Sequence, residues 1–151
     1  MRMNTERTSF VIGVFALIFQ GREHVLLGRR RDYDIWNLPG GGLQEGETVT
    51  EGIVREVAEE TGLVVEVQRL VGVYSKPYRN EVVLTFQCHP MSEELRPTEE
   101  AVEWRYFSVD ELPRNLLPKH RERILDAARH QAPAILRVQR GPADLEVLGL
   151  A

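Results

Sequence analysis

The sequence predicts an α+β fold, with helices packed on a mixed sheet. Three observations carry that expectation. Short β-branched and aromatic runs recur along most of the chain. Two segments combine helical periodicity with capping signals at their ends. Strand-like and helix-like runs alternate irregularly, without an internal repeat, low-complexity tract or interdomain linker. The 151 residues fit one domain, 1–151, with a sizeable core.

Taken in order, "FVIGVFALIF" (Phe10 to Phe19) reads as a central strand, because Val11, Ile12, Val14 and Ile18 suit a buried pleat. "HVLLGRR" (His24 to Arg30) reads as its hairpin partner across the turn-like "QGRE". "IWNLP" is a short extended piece stopped by Pro39 and three glycines. A helix is expected from about Thr48 to Thr61. Thr48 and Glu51 match a capping box, and Gly62 sits where a left-handed cap belongs. "VVEVQRLVGVYS" (Val64 to Ser75) is long enough for a bent strand, and "EVVLTFQCH" (Glu81 to His89) and "VEWRYF" (Val102 to Phe107) follow as two more. "DELP" (Asp110 to Pro113) suggests a short helical turn. A second helix begins near Pro118, a good first-turn residue, with Ile124, Leu125 and Ala128 as its apolar stripe. In the tail, alternating runs flank Gly141 and Pro142, so a β-hairpin is expected within 131–151.

Composition narrows the function. Hydrophobic content of 42%, charged content of 28% and a net charge of −4 are those of an ordinary globular chain without a general nucleic-acid footprint. One cysteine, Cys88, excludes an intramolecular disulfide and suggests a reducing, cytoplasmic setting. The start "MRMNTERTSF" lacks the apolar run of a signal peptide, and Phe10 to Phe19 is too short to cross a bilayer. No membrane partner is expected.

The first helix is unusual for its charge. At about 100° per residue, Glu56, Glu59 and Glu60 share one face, while Ile53, Val54, Val57 and Thr61 form the packing stripe. Like charges at this spacing oppose helix formation, and Glu59 and Glu60 sit near the end where the helix dipole disfavours anions. The face carries no lysines at i, i+4, as a solubilising surface would. Clustered carboxylates suit a hard divalent cation such as Mg²⁺, which takes oxygen ligands and bridges carboxylates to phosphates.

The same segment, Gly41 to Leu63, reads G-x5-E-x7-R-E-V-x-E-E-x-G-L on Gly41, Glu47, Arg55, Glu56, Val57, Glu59, Glu60, Gly62 and Leu63. It resembles the Nudix box, with every specified position filled. "WNLPGG" before it and "EEAVEWRYFSVDELP" after it also resemble Nudix hydrolases, so the likeness runs from Phe10 to Pro113 and more weakly over 118–130. The resemblance implies an α/β/α sandwich that hydrolyses a nucleoside diphosphate linked to another moiety, with Mg²⁺ or sometimes Mn²⁺. It implies that Glu56, Glu59 and Glu60 ligate the metal, that Glu47 and Arg55 form a supporting pair, and that Gly41 and Gly42 let the backbone approach metal and phosphates. The general base stays open between Glu59 and Glu60 in the box and Glu100 or Glu103 beyond it. Glu100 is the preferred outside candidate, because it matches a recurrent family glutamate.

The substrate is less defined. Arg29, Arg30 and Arg31 precede the box and could fork phosphate oxygens, or pair with Asp32 and Asp34. Tyr33 and Trp36 could stack a base, although Trp36 beside "LPGG" reads better as structural. Pro77 resembles the ADP-ribose pyrophosphatase branch and Tyr78 the dinucleoside-polyphosphate branch. The helix "PKHRERILDAA" resembles the closing helix of ADP-ribose and nucleotide-sugar hydrolases, with His120 and Arg121 read as surface residues. The leading expectation is a hydrolase of ADP-ribose or a related small nucleotide. A nucleoside triphosphate pyrophosphohydrolase that sanitises the nucleotide pool is the alternative. A non-catalytic nucleotide sensor is the reading of another class, against which the intact box carboxylates weigh. A homodimer is compatible with the tail.

Overall fold

A computed structural model describes residues 9–130 and 132–151. The elements run β1 (Val11–Gln20), β2 (His24–Arg30), β3 (Trp36–Asn37), β4 (Gly40–Gly42), α1 (Val49–Thr61), β5 (Val65–Lys76), β6 (Glu81–Pro90), β7 (Ala101–Ser108), α2 (Pro118–Arg129), β8 (Ile135–Val138) and α3 (Asp144–Val147). Tight 3₁₀ turns occupy Pro77–Arg79 and Val109–Glu111. The sheet order is β3-β2-β1-β6-β5-β8, with β4 on β1 and β7 on β2. β1 and β6 run parallel, as do β5 and β8, and the other pairs are antiparallel, so the sheet is mixed as expected.

β1 shows why helices cover both faces. Its alternate residues Val14, Ala16 and Ile18 pack with Ile53 and Val57 of α1. Leu17 and Phe19 point the other way, to Ile124 and Ala127 of α2. All nine of these side chains are buried, and this two-sided burial is the main stabilising term. β5 bends as its length suggested, through two register slips against β6. Among the described residues no helix is long and apolar enough to cross a membrane.

Three expectations fail, two on α2 and one in the tail. Its inner face is His120, Arg123, Ile124 and Ala127, and Ala128 is exposed. The apolar stripe was misplaced because a buried arginine and histidine hold positions that hydrophobic spacing cannot assign. Arg123 is covered by the Phe15 and Tyr74 rings, 5.2 and 5.4 Å from its guanidinium carbon. Among its described residues the tail forms no hairpin. β8 instead adds in parallel to the outer edge of β5, pairing Gly72 with Ile135 through Ser75 with Val138. Arg137 is pinned to Asp126 of α2, which also accepts from the Tyr74 hydroxyl at 2.9 Å. After Gly141 the chain is turned into α3, because Lys119 captures the Asp144 carboxylate with its backbone N–H and ammonium, both at 2.9 Å.

His120 is buried, and not on the surface as expected. Its Nδ1 accepts the Leu38 N–H at 3.0 Å, just ahead of the glycine turn. Burial, then the Arg123 and Lys76 cations and, more weakly, Arg30 and Lys119, hold its imidazole well below the usual range. The folded state therefore keeps it neutral, while the unfolded chain protonates it below about pH 6.5. Its contribution to stability is complete above that pH and falls by up to about 1.4 kcal/mol per unit below it. Urea midpoints at pH 7 and pH 5 should separate more for the wild type than for His120→Gln, whose amide oxygen can still accept from Leu38. Equal separations would show that His120 titrates normally.

Candidate active site

The acidic helix is fixed at both ends by local chemistry. Thr48 Oγ1 accepts from the Glu51 N–H at 3.2 Å, and the Glu51 carboxylate accepts from the Thr48 N–H at 3.3 Å. Gly62 ends the helix at φ 83° and donates to the Ala58 carbonyl at 3.0 Å. Arg55 then ties the helix to the loop before it. Its Nε and Nη2 fork the Glu47 carboxylate at 2.9 and 2.6 Å, and Nη2 also donates to the Gly42 carbonyl at 3.2 Å. Those bonds pull the Glu47 carboxyl down to about 2, with a smaller contribution from the Gln44 N–H. The third nitrogen, Nη1, reaches Glu56 at 3.1 Å and Glu59 at 3.2 Å.

Glu60 is the odd member of the acidic face. It is 9% exposed, whereas the Glu59 side chain is 61% exposed. Its Oε2 accepts the Gly40 N–H at 3.0 Å. Burial first, then the nearby Glu100 and Glu56 carboxylates, push its carboxyl well above the usual range, against the Gly40 bond. Glu100 borders the same two recesses as Glu60. One, of about 370 Å³, is bordered by Glu56, Glu59, Glu60 and Glu100. The other, of about 520 Å³, extends from Glu60 and Glu100 past Gly40 to Arg31, Asn37 and Trp104.

The donor set fits a divalent cation. It is all oxygen, it gathers carboxylates that repel each other, and one of them is buried with only a backbone N–H to oppose its charge. Gly41 serves the same arrangement, since a Cβ there would stand 2.6 Å from the Glu56 carboxylate. Among the described residues no three acidic, histidine or cysteine side chains converge at ligating distance. Arg55 holds Glu56 and Glu59, and Gly40 holds Glu60.

The other expected residues divide. Glu100 joins the box carboxylates, although 40 positions separate it from Glu60. Arg31 borders the larger cavity, but its Nη2 and Nε donate to the Thr98 and Glu99 carbonyls at 2.7 and 3.2 Å. Arg29 sits between Glu103 at 3.5 Å and Asp34 at 3.9 Å, and Arg30 is paired with Asp32. Pro77 and Tyr78 are exposed on the β5–β6 turn and border neither recess. Tyr78 instead faces the Lys119 ammonium at 5.8 Å. Gly42 leaves its surroundings open to at least 4 Å and gives only its carbonyl to Arg55. Trp36 is buried edge-to-face on Phe107 at 4.8 Å, a packing role. Sequence reasoning missed Gly40, Asn37 and Trp104. Trp104 lies over Gly28 on β2, where a Cβ would come within 2.7 Å of its ring; that glycine opposite a tryptophan was the available signal.

A NUDIX domain family model matches residues 9–128. The chain belongs to that family, which makes it a hydrolase of acid anhydrides, and the family works with a divalent metal ion. It is 35% identical over 124 residues to a MutT-like protein of Streptomyces ambofaciens, covering 82% of this chain and 80% of that one. A crystal structure of a NUDIX hydrolase from Nitrosomonas europaea matches with a TM-score of 0.81 at 26% identity, over 90% of this chain and 82% of that chain. An ADP-ribose pyrophosphatase from Streptococcus suis 89-1591 matches with a TM-score of 0.72 at 30% identity, over 87% of this chain and all of that one, 100%.

Proposed function

We propose that the protein hydrolyses, with Mg²⁺, a nucleoside diphosphate linked to another moiety, with ADP-ribose or a closely related small nucleotide as substrate. The observation that carries the chemistry is the buried Glu60 carboxylate facing Glu100 at the junction of two recesses. The substrate class is supported by the likeness to the Streptococcus suis enzyme over that enzyme's full length.

In this reading Glu56, Glu59 and Glu60 hold the cation, with Mn²⁺ as a substitute. When bound, such an ion neutralises phosphate oxygens and lowers the pKa of a coordinated water. The chain supplies the rest. Arg55 and Glu47 lock the helix against the glycine loop, so the acidic face needs no rearrangement of its backbone to meet the anhydride. Glu60 and Glu100 are the groups placed to take the proton from an attacking water, a role worth about 10²–10⁴-fold. The larger cavity receives the part of the substrate beyond the anhydride. We place the protein in the cytoplasm as a single domain without a nucleic-acid partner. The exposed Leu136 and Val138 on edge strand β8 are compatible with a homodimer.

The deciding assay presents ADP-ribose, diadenosine polyphosphates, nucleotide sugars, and canonical and oxidised deoxynucleoside triphosphates, each with Mg²⁺ and Mn²⁺, and scores release of nucleoside monophosphate. ADP-ribose or a nucleotide sugar should turn over fastest. Turnover of triphosphates alone would replace the substrate class and favour a pool-sanitising enzyme. Binding without any turnover would replace the enzyme by a nucleotide sensor.

A further inference from the structure

The loop between β6 and β7 has no regular structure from Met91 to Glu100, yet it must deliver Glu100 to the recesses that Glu60 borders. Its far end is tied to α1 by the Arg96 N–H, which donates to the Thr61 carbonyl at 3.0 Å. Near Glu100 the ties converge on one side chain. Arg31 Nη2 donates to the Thr98 carbonyl at 2.7 Å, its Nε to the Glu99 carbonyl at 3.2 Å, and its backbone N–H to the Glu100 carbonyl at 3.1 Å. Three successive carbonyls are thus held by one residue, and Thr98 Oγ1 closes the turn by accepting from the Glu100 and Ala101 N–H groups, each at 3.3 Å. The ladder between β2 and β7 explains the register. It slips between Arg29 and Arg30, so that Arg30 pairs with Ala101 after Arg29 has paired with Glu103. The extra residue, Val102, brings Arg31 opposite Glu100; an unbroken ladder would have set it opposite Ala101.

We propose that Arg31 is a positioning residue that clamps the 98–100 backbone and so sets Glu100 opposite Glu60, and that it does not bind substrate phosphate. The Nε–Nη2 edge, the planar fork that would grip a phosphate, is already spent on carbonyls. A lysine has a single nitrogen at that place and cannot hold both carbonyls in the same geometry. Arg31 is exposed and outside the core, so its replacement removes the clamp without opening the fold. The proposal rests on the reading of Glu100 as a group that serves hydrolysis.

The test compares Arg31→Lys, Arg31→Ala, Glu100→Gln and the double variant Arg31→Ala/Glu100→Gln on ADP-ribose with Mg²⁺. Both single Arg31 variants should lose kcat by roughly 10–100-fold, with KM within about threefold of wild type. Adding Arg31→Ala to Glu100→Gln should cost nothing further, because the clamp acts only through the carboxylate it places. Hydrogen exchange over 98–101 should be faster in Arg31→Lys, a readout that needs no turnover. Wild-type kcat in Arg31→Lys, a rise in KM with kcat unchanged in Arg31→Ala, losses that multiply in the double variant, or unchanged exchange would each overturn the clamp. Wild-type kcat in Glu100→Gln would overturn it too while leaving the hydrolytic function standing. A wild-type protein inactive on every nucleotide would remove the functional reading itself, and exchange would then judge the clamp alone.

Discussion

Glu60→Gln should lose about 10²–10⁴-fold in kcat at saturating Mg²⁺ and, in the absence of metal, melt at a higher temperature than the wild type. The two effects have one origin. The wild-type carboxyl is buried beside Glu56 and Glu100, and its folded pKa lies above its ordinary value of 4.5. A carboxyl shifted that way contributes stability below the unfolded pKa and loses it as pH rises through the folded one. At pH 8 without metal, above the unfolded pKa, the wild type bears the cost of keeping that carboxyl buried beside Glu56 and Glu100. Glutamine has the same shape, cannot ionise, and still offers an oxygen to the Gly40 N–H, which donates to Glu60 at 3.0 Å. The substitution therefore relieves repulsion while removing the charge that the cation and the water's proton require. Steady-state kinetics and a thermal melt in chelator read both halves. Near wild-type kcat would remove Glu60 from the chemistry, and a lower melting temperature would show that its charge is not the liability its burial implies. Glu59→Gln should follow in kcat but gain less stability, since Glu59 is exposed and keeps an Arg55 contact at 3.2 Å.

The box was readable because its determinants are local. A capping threonine, a glutamate three residues on, a glycine at the far end and a periodic acidic face lie within one helix, and helical geometry alone brings Arg55 beside Glu56 and Glu59. The mixed sheet with helices packed on it was readable too, from short β-branched runs broken by two capped helices, but the strand order was not. What could not be read depended on partners distant in sequence. Arg31 looked like a phosphate ligand, but Thr98, which takes its guanidinium, lies 67 positions away. His120 looked like a surface residue until Leu38, 82 positions earlier, supplied an N–H for it to accept. The tail carried strand-like alternation in both halves. Its second half folds as a helix because Lys119, 25 positions back, binds Asp144, and no pattern inside the tail encodes that bond. Pro77 and Tyr78 were singled out by a register one residue wide, and the β5–β6 turn leaves them outside both recesses.

Gly40→Ala should be the most damaging of the glycine-to-alanine changes, costing about 1–3 kcal/mol from overpacking and a similar amount from backbone strain, with activity lost alongside. Gly40 has φ 155°, and a Cβ there would stand 2.4 Å from the Val14 carbonyl oxygen and 2.7 Å from the Phe15 Cα. Neither can retreat. β1 is held on its other side by β6 through the Gly13–Val83, Val14–Leu84 and Phe15–Thr85 pairs, so relief has to come from displacing β4. Gly40 is also the residue whose N–H steadies Glu60, and a displaced β4 takes that donor away from the buried carboxylate. The two neighbouring glycines provide the contrast. A Cβ at Gly41 meets only the flexible end of Glu56, at 2.6 Å, so Gly41→Ala should shift a carboxylate and lower kcat while leaving the fold nearly as stable. A Cβ at Gly42 meets nothing within 4 Å, so Gly42→Ala should change stability by no more than about 0.5 kcal/mol. Urea denaturation of the three variants should rank them Gly40→Ala, Gly41→Ala, Gly42→Ala from most to least destabilised. A folded, active Gly40→Ala would mean that β4 can leave β1 without disturbing Glu60, and the glycine turn would then be a hinge rather than the rigid wall on which the acidic site is built.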